Sequence, residues 1–321
     1  MRSHVRSIVA TMATILIGAS VSSAQSQVVR PKLPKSVRLE ADIPYAETEH
    51  PRQRLNLLLP KQRADSQLLP VIAYIHGGAW LAGDRVGGHR RLAAYVSSGK
   101  YVGVSIGYRL TRDAVWPAQI HDCKAAIRWI RANAEKYQLD PDRIGVIGDS
   151  AGGHLVSMLG TSGGVAALEG NLGAHTDISS RVQCVIDDYG PSDLPAMKDY
   201  PSRLDHDGAN SPEGRLVGGR VSEKVEMAKE ASPIQYVTVD DPPILIIHGS
   251  NDMVVPYNQS VRFAAALEKS GVTSALVTVD GGGHGGFRNP EVRKREQAFF
   301  ESHLRGKQQS FDAETIPNVP R

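Results

Sequence analysis

The stretch "RIGVIGDSAGGHL", residues 143–155, sets one serine, Ser150, among small residues, with an apolar run before it and a helical pattern after it. A serine hydroxyl attacks poorly unless a base takes its proton, and the base needs an acid to orient it. Ser150 lies in Gly148-Asp149-Ser150-Ala151-Gly152, the pattern of a sharp strand-to-helix turn. Glycines two residues before and two after let the flanking chain pass without side-chain collision. Such a turn thrusts the hydroxyl out of a sheet and sets it at a helix N-terminus, where unpaired amides favour negative charge. An ordinary helix cap would also put a serine there, so its partners decide.

Candidate partners sit at other strand ends. His284 falls in "VDGGGHGGF", just past the last apolar run, with glycines on both sides that leave the ring room to approach the serine. Asp252 falls in "ILIIHGSNDMVVP", just past the run before it. The chain order is then Ser, Asp, His, as in α/β-hydrolases. His248 reads as a packing or hydrogen-bonding residue at a strand end, and His121 and His303 fall inside helical patterns. Asp280 is an alternative acid only four residues before His284; Asp187 and Asp188 end a different strand. In "YIHGGAW" two glycines and an alanine let backbone amides point at a substrate oxygen. Gly78 and Ala79 are the expected donors, Gly77 a close alternative, and Ala151 supplies a further amide. His76 reads as a stabiliser of that loop. Trp80 reads as core or as pocket wall, and Tyr189 is placed with it as a substrate contact.

The elements that must position these groups alternate. "SVRLEADIPYA" and "RLNLLLP" read as strands, the first with the period-two pattern of a half-solvated edge. "LPVIAYIHGG", "YVGVSIGYRL", "RIGVIGD", "RVQCVIDDYG", "PPILIIHGS" and "ALVTVDGG" are near-continuous apolar runs, as in strands buried on both faces. Helical periodicity falls between them, over 117–137, 152–160, 258–270 and 290–304. The alternation predicts an α/β fold with a mostly parallel, doubly wound sheet of about eight strands and helices on both faces. Residues 191–237 carry no strand pattern and read as an irregular, partly helical, cap-like insertion in a domain spanning 38–306. Residues 307–321 read as a flexible tail.

The chain has 321 residues, 41 % apolar and 22 % charged, with a formal net charge of +3. Residues 1–24 have a basic start (Arg2, Arg6), a short apolar stretch and small residues at Ser22 and Ala24, the pattern of a cleaved secretory signal, followed by a linker over 25–37. That expectation places the protein in the periplasm or outside the cell, with no stable membrane insertion after cleavage. Removing Arg2 and Arg6 leaves about +1, which gives no electrostatic case for nucleic-acid binding. Cys123 and Cys184 read equally as a disulfide or as two buried thiols.

With "HGGAW", "GDSAGG", "HGSNDMVVP" and "GGGHGGF" in view, the sequence resembles the α/β-hydrolase superfamily over about residues 39–305. Within it, the chain is similar to exported bacterial esterases related to acetyl esterases, hormone-sensitive-lipase-like carboxylesterases and the feruloyl/acetyl-xylan esterase-like (BD-FAE-like) group. The resemblance implies Ser150 as nucleophile, Asp252 as acid, His284 as base, and an oxyanion hole from the 76–79 loop plus Ala151. It implies a short-chain or polysaccharide-linked ester substrate, and the chemistry calls for no metal or organic cofactor. Two departures stand out: Ala79 replaces the third glycine of the loop, and "VIDDYGP" carries Asp188 where relatives are more aromatic. A peptidase of the prolyl-oligopeptidase kind shares this fold and order, and a non-catalytic binding module on a hydrolase scaffold is the reading outside enzymes.

Overall fold

A computed structural model describes residues 32–63 and 68–319; the expected signal, 1–24, and the first part of the linker lie outside the described residues. The strands are β1 Val37–Pro44, β2 Arg54–Pro60, β3 Leu69–Ile75, β4 Val102–Ile106, β5 Leu139–Asp149, β6 Cys184–Asp188, β7 Ile244–Gly249, β8 Ser274–Asp280 and β9 Glu314–Pro317. They form one sheet in the order β1-β2-β4-β3-β5-β6-β7-β8-β9. Pairing is antiparallel across β1–β2 and β2–β4 and parallel everywhere else.

The central runs are apolar because both their faces are covered. Every residue of β3 and β7 is buried. Alternate side chains of one strand enter opposite layers: Val71, Ala73 and Ile75 pack into one cluster, Ile72 and Tyr74 into the other. Toward the edge, β8 alternates buried Ala275, Val277 and Val279 with half-covered neighbours.

The helices are α1 Gly88–Ser97, α2 Ala118–Ala132, α3 Ala134–Tyr137, α4 Ala151–Thr161, α5 Ala166–Glu169, α6 Pro212–Val217, α7 Val225–Glu230, α8 Asn258–Lys269 and α9 Pro290–Arg305. Ile127 of α2, Leu155 of α4 and Phe263 of α8 belong to the first cluster, while Leu92 of α1 and Phe300 of α9 belong to the second. The sheet is therefore doubly wound. The helix expected over 117–137 breaks at Asn133, whose side-chain amide donates to Trp129 O at 2.9 Å.

The sheet has nine strands among the described residues, against about eight expected, and β9 lies in the stretch read as a flexible tail, which is corrected there to a strand over Glu314–Pro317. It pairs in parallel with β8, Asn289 Nδ2 donates to Pro317 O at 2.8 Å, and the Arg295 guanidinium forks onto the Glu314 carboxylate. Cys123 and Cys184 are both free and buried, with burial holding each thiol above its usual range.

Residues 191–237 contain no strand, only α6, α7 and two short 3-10 helices, Leu194–Asp199 and Pro233–Tyr236. The excursion is pinned where it leaves the sheet: the amides of Ser192 and Asp193 both donate to Gln259 Oε1, at 2.9 and 2.7 Å.

Candidate active site

Ser150 sits between β5 and α4 with φ 55° and ψ −120°, left-handed backbone that a side-chain-bearing residue rarely adopts. The turn persists because its neighbours leave nothing else. Its amide donates to Asp188 O at 2.8 Å and its carbonyl accepts from His154 N at 2.9 Å. A Cβ on Gly148 would lie 2.3 Å from Gly152 O, and one on Gly152 would lie 2.1 Å from Ile75 O. Both glycines are thus required by backbone contact, as the pattern predicts.

The three widely separated side chains meet. Ser150 Oγ lies 2.9 Å from His284 Nε2, and His284 Nδ1 lies 2.6 Å from Asp252 Oδ2. The hydroxyl donates to Nε2 and the Nδ1 proton is held by the carboxylate, which fixes the tautomer a base needs. Asp252 Oδ1 accepts from the amides of Val254 and Val255 at 2.7 and 3.1 Å. Burial pushes the Asp252 pKa up, but hydrogen bonds from His248 and His284 outweigh it and leave the carboxyl well below its usual range. The competing acid is elsewhere occupied: Asp280 accepts from Ser250 Oγ at 3.2 Å. His121 is bonded to Ala167 O at 3.0 Å, and His303 packs edge-on against Phe299.

His248 has a larger part than the sequence showed. With its proton on Nε2 it donates to Asp252 Oδ2 at 3.0 Å, and its Nδ1 accepts from Ser260 Oγ at 2.6 Å. Asp252 therefore sits between two imidazoles. The only signal in the sequence is the four-residue spacing from His248 to Asp252, with both residues at the end of one strand.

The loop after β3 is strained. Gly78, Ala79 and Trp80 have φ of 114°, 56° and 56°. The amides of Leu81 and Ala82 both donate to Gly78 O at 2.9 Å, and Thr111 N donates to Trp80 O at 2.9 Å. A Cβ on Gly77 would lie 3.4 Å from the Ser150 Cβ, so the loop runs directly against the turn. Neither Gly78 N nor Ala79 N donates to another backbone group among the described residues, and Ala151 N, first in α4, has no intrahelical acceptor. These amides are left open to an acceptor other than the backbone. His76 supports the loop: Nδ1 donates to Gly77 O at 2.8 Å, the ring stacks on Tyr108 at 4.3 Å, and burial pushes its pKa down to about 4.

Trp80 combines the two roles left open for it. It is 2 % exposed within the core, yet it lines a cavity of about 30 Å³ beside Ser150, with Leu204, Val254 and Val255 completing the apolar wall. Its Nε1 donates to His154 Nδ1 at 3.2 Å, and His154 Nε2 donates to Ala231 O at 2.6 Å. Burial pushes His154 down to about 4, which keeps it neutral in that relay. His154 escaped the sequence reading, although it is the one ionisable residue in "AGGHLVSMLG". Tyr189, with φ 48°, packs its ring edge-on against His284 at 4.8 Å. Asp187 and Asp188 brace the end of β6: Asp187 accepts from Gly190 N at 2.8 Å and Ser157 Oγ at 3.0 Å, and Asp188 pairs with Arg91.

The BD-FAE family model matches residues 55–267. Esterase LipC of Mycobacterium tuberculosis is 35 % identical over 218 residues, covering 67 % of this chain and 53 % of that protein. Esterase LipQ of the same organism is 33 % identical over 238 residues, covering 73 % and 54 %. The chain thus spans about half the length of these relatives. Among solved structures, a truncated carbohydrate esterase from gut microbiota superposes with a TM-score of 0.78 at 34 % identity, covering 84 % of this chain and 96 % of that one. An acetyl ester-xyloside bifunctional hydrolase from Caldicellulosiruptor lactoaceticus gives 0.65 at 25 % identity, covering 85 % and 98 %. Sheet order, turn geometry and these likenesses agree: the chain belongs to the BD-FAE family of α/β-hydrolases.

Proposed function

We propose that the protein is an exported serine esterase that removes short acyl groups, acetyl foremost, from a carbohydrate-linked alcohol. The observation that carries this reading is the unbroken hydrogen-bond line from Ser150 Oγ through His284 to Asp252, at 2.9 and 2.6 Å. His284 takes the Ser150 proton as the oxygen attacks the ester carbonyl, and Asp252 stabilises the imidazolium. The amides of Gly78, Ala79 and Ala151 hold the tetrahedral oxyanion. His284 then protonates the leaving alcohol, and water repeats the cycle on the acyl-serine to release the acid.

The acyl preference is supported by the small apolar cavity beside Ser150, roughly 30 Å³, which suits a methyl-sized group better than a cinnamoyl ring. The carbohydrate alcohol is supported by the two solved likenesses, one called a carbohydrate esterase and the other an acetyl ester-xyloside hydrolase. Export is supported by the basic, apolar and small-residue order of residues 1–24. Expression with the native leader is expected to yield a mature chain starting near residue 25, read by N-terminal sequencing of the exported fraction.

A panel of 4-nitrophenyl esters is expected to show kcat/KM falling about tenfold or more from acetate to hexanoate, since overfilling a packed pocket costs about 1–3 kcal/mol. Acetylated xylan should release acetate, and methyl ferulate should be a poor substrate. In Leu204→Ala the wall opens and the optimum should shift to a longer acyl chain. A wild-type preference for hexanoate or ferulate over acetate would overturn the assignment of this cavity.

A further inference from the structure

A second cavity, about 270 Å³, opens near the serine turn, lined by residues of α1, α9 and the segment just past His284. It is close to the reacting groups: its walls include Asp149, which precedes Ser150, the Tyr189 ring that packs on His284, and Phe287, three residues past His284.

Its polar groups are unequally satisfied. Arg91 is shared between Asp188 Oδ2 and Glu296 Oε1, the latter at 2.8 Å, so one cation serves two carboxylates. Asp149 accepts from the Tyr74 hydroxyl. Two cations are left over. Arg90 of α1 and Arg293 of α9 line the same cavity, are exposed, and have no hydrogen bond or ion pair with a described residue.

Unpaired guanidinium groups call for a carboxylate, and the Tyr189 and Phe287 rings give an apolar face for a sugar ring. We propose that this cavity is the subsite for the alcohol part of the ester and takes a uronic-acid unit, its ring against Tyr189 and Phe287 and its carboxylate on Arg90 and Arg293. This rests on the esterase reading above and adds the charge of the substrate to it. The sugar then lies against Tyr189 and Phe287 while the acyl group occupies the small cavity lined by Ser150 and Trp80.

The test compares monoacetylated glucuronic acid with monoacetylated glucose, which differ only in carboxylate against hydroxymethyl. Wild-type kcat/KM should favour the acid about tenfold or more, chiefly through KM. That ratio should fall toward one in Arg90→Ala/Arg293→Ala and be largely retained in Arg90→Lys/Arg293→Lys. A wild-type ratio of one or less, or a ratio unchanged in the alanine double variant, overturns the subsite while 4-nitrophenyl acetate hydrolysis keeps the esterase reading standing. Absence of turnover on all three esters overturns both.

Discussion

Ser150→Ala should abolish hydrolysis of 4-nitrophenyl acetate, lowering kcat by roughly 10⁶-fold, because the attacking oxygen is gone while the amides and the base remain. The fold should be untouched. The Ser150 side chain makes one hydrogen bond, to His284, and alanine bears the same left-handed backbone strain as serine. Thermal unfolding is expected within about 2 °C of wild type, since no buried group loses its only partner. A fluorophosphonate should label wild-type protein at Ser150 and fail to label the variant. Near-normal turnover in Ser150→Ala would reject the assignment outright.

Asp252→Asn should cost about 10⁴-fold in kcat, through a proton in the wrong place. The Oδ2 position faces two ring N–H donors, from His248 at 3.0 Å and His284 at 2.6 Å. An asparagine that keeps its oxygen toward the amides of Val254 and Val255 turns its NH₂ toward both rings. His284 must then accept at Nδ1 and carry its proton on Nε2, facing the Ser150 hydroxyl, where it can no longer act as a base. Stability should respond to pH in a definite direction as well. The folded carboxyl lies well below its unfolded range, so its contribution is complete above about pH 4 and is lost as pH falls through that range toward the folded value. Melting temperatures from pH 7 to pH 3 should therefore fall more steeply in wild type than in Asp252→Asn. Parallel slopes would mean that the two imidazoles do not hold Asp252 ionised.

Much of this site could be read before any coordinates, for a physical reason. Ser150, Asp252 and His284 each follow an apolar run, and in a parallel sheet every such run ends at the same rim. Local sequence therefore carried long-range geometry. What escaped depends on contacts with no local period. β9 is four residues with one buried side chain, Ile316, and its place depends on Arg295 finding Glu314 across a loop. The double pairing of Asp252 depends on how β7 ends, and nothing in "HGSND" distinguishes a ring that packs from a ring that donates. The small cavity is shaped by Leu204 and by the sharp turn at Trp80, neither of which follows a strand or helix repeat.

His154 joins two parts of the molecule that the chain makes far apart. One of its nitrogens receives Trp80, at the end of the strained loop, and the other reaches Ala231, at the close of the 191–237 excursion. An excursion that has not docked leaves that imidazole with an unmet donor and Trp80 with a loose anchor, so the loop amides lose the pose that a developing negative charge requires. On the esterase reading, damage to the excursion should then be felt in turnover as well as in substrate capture.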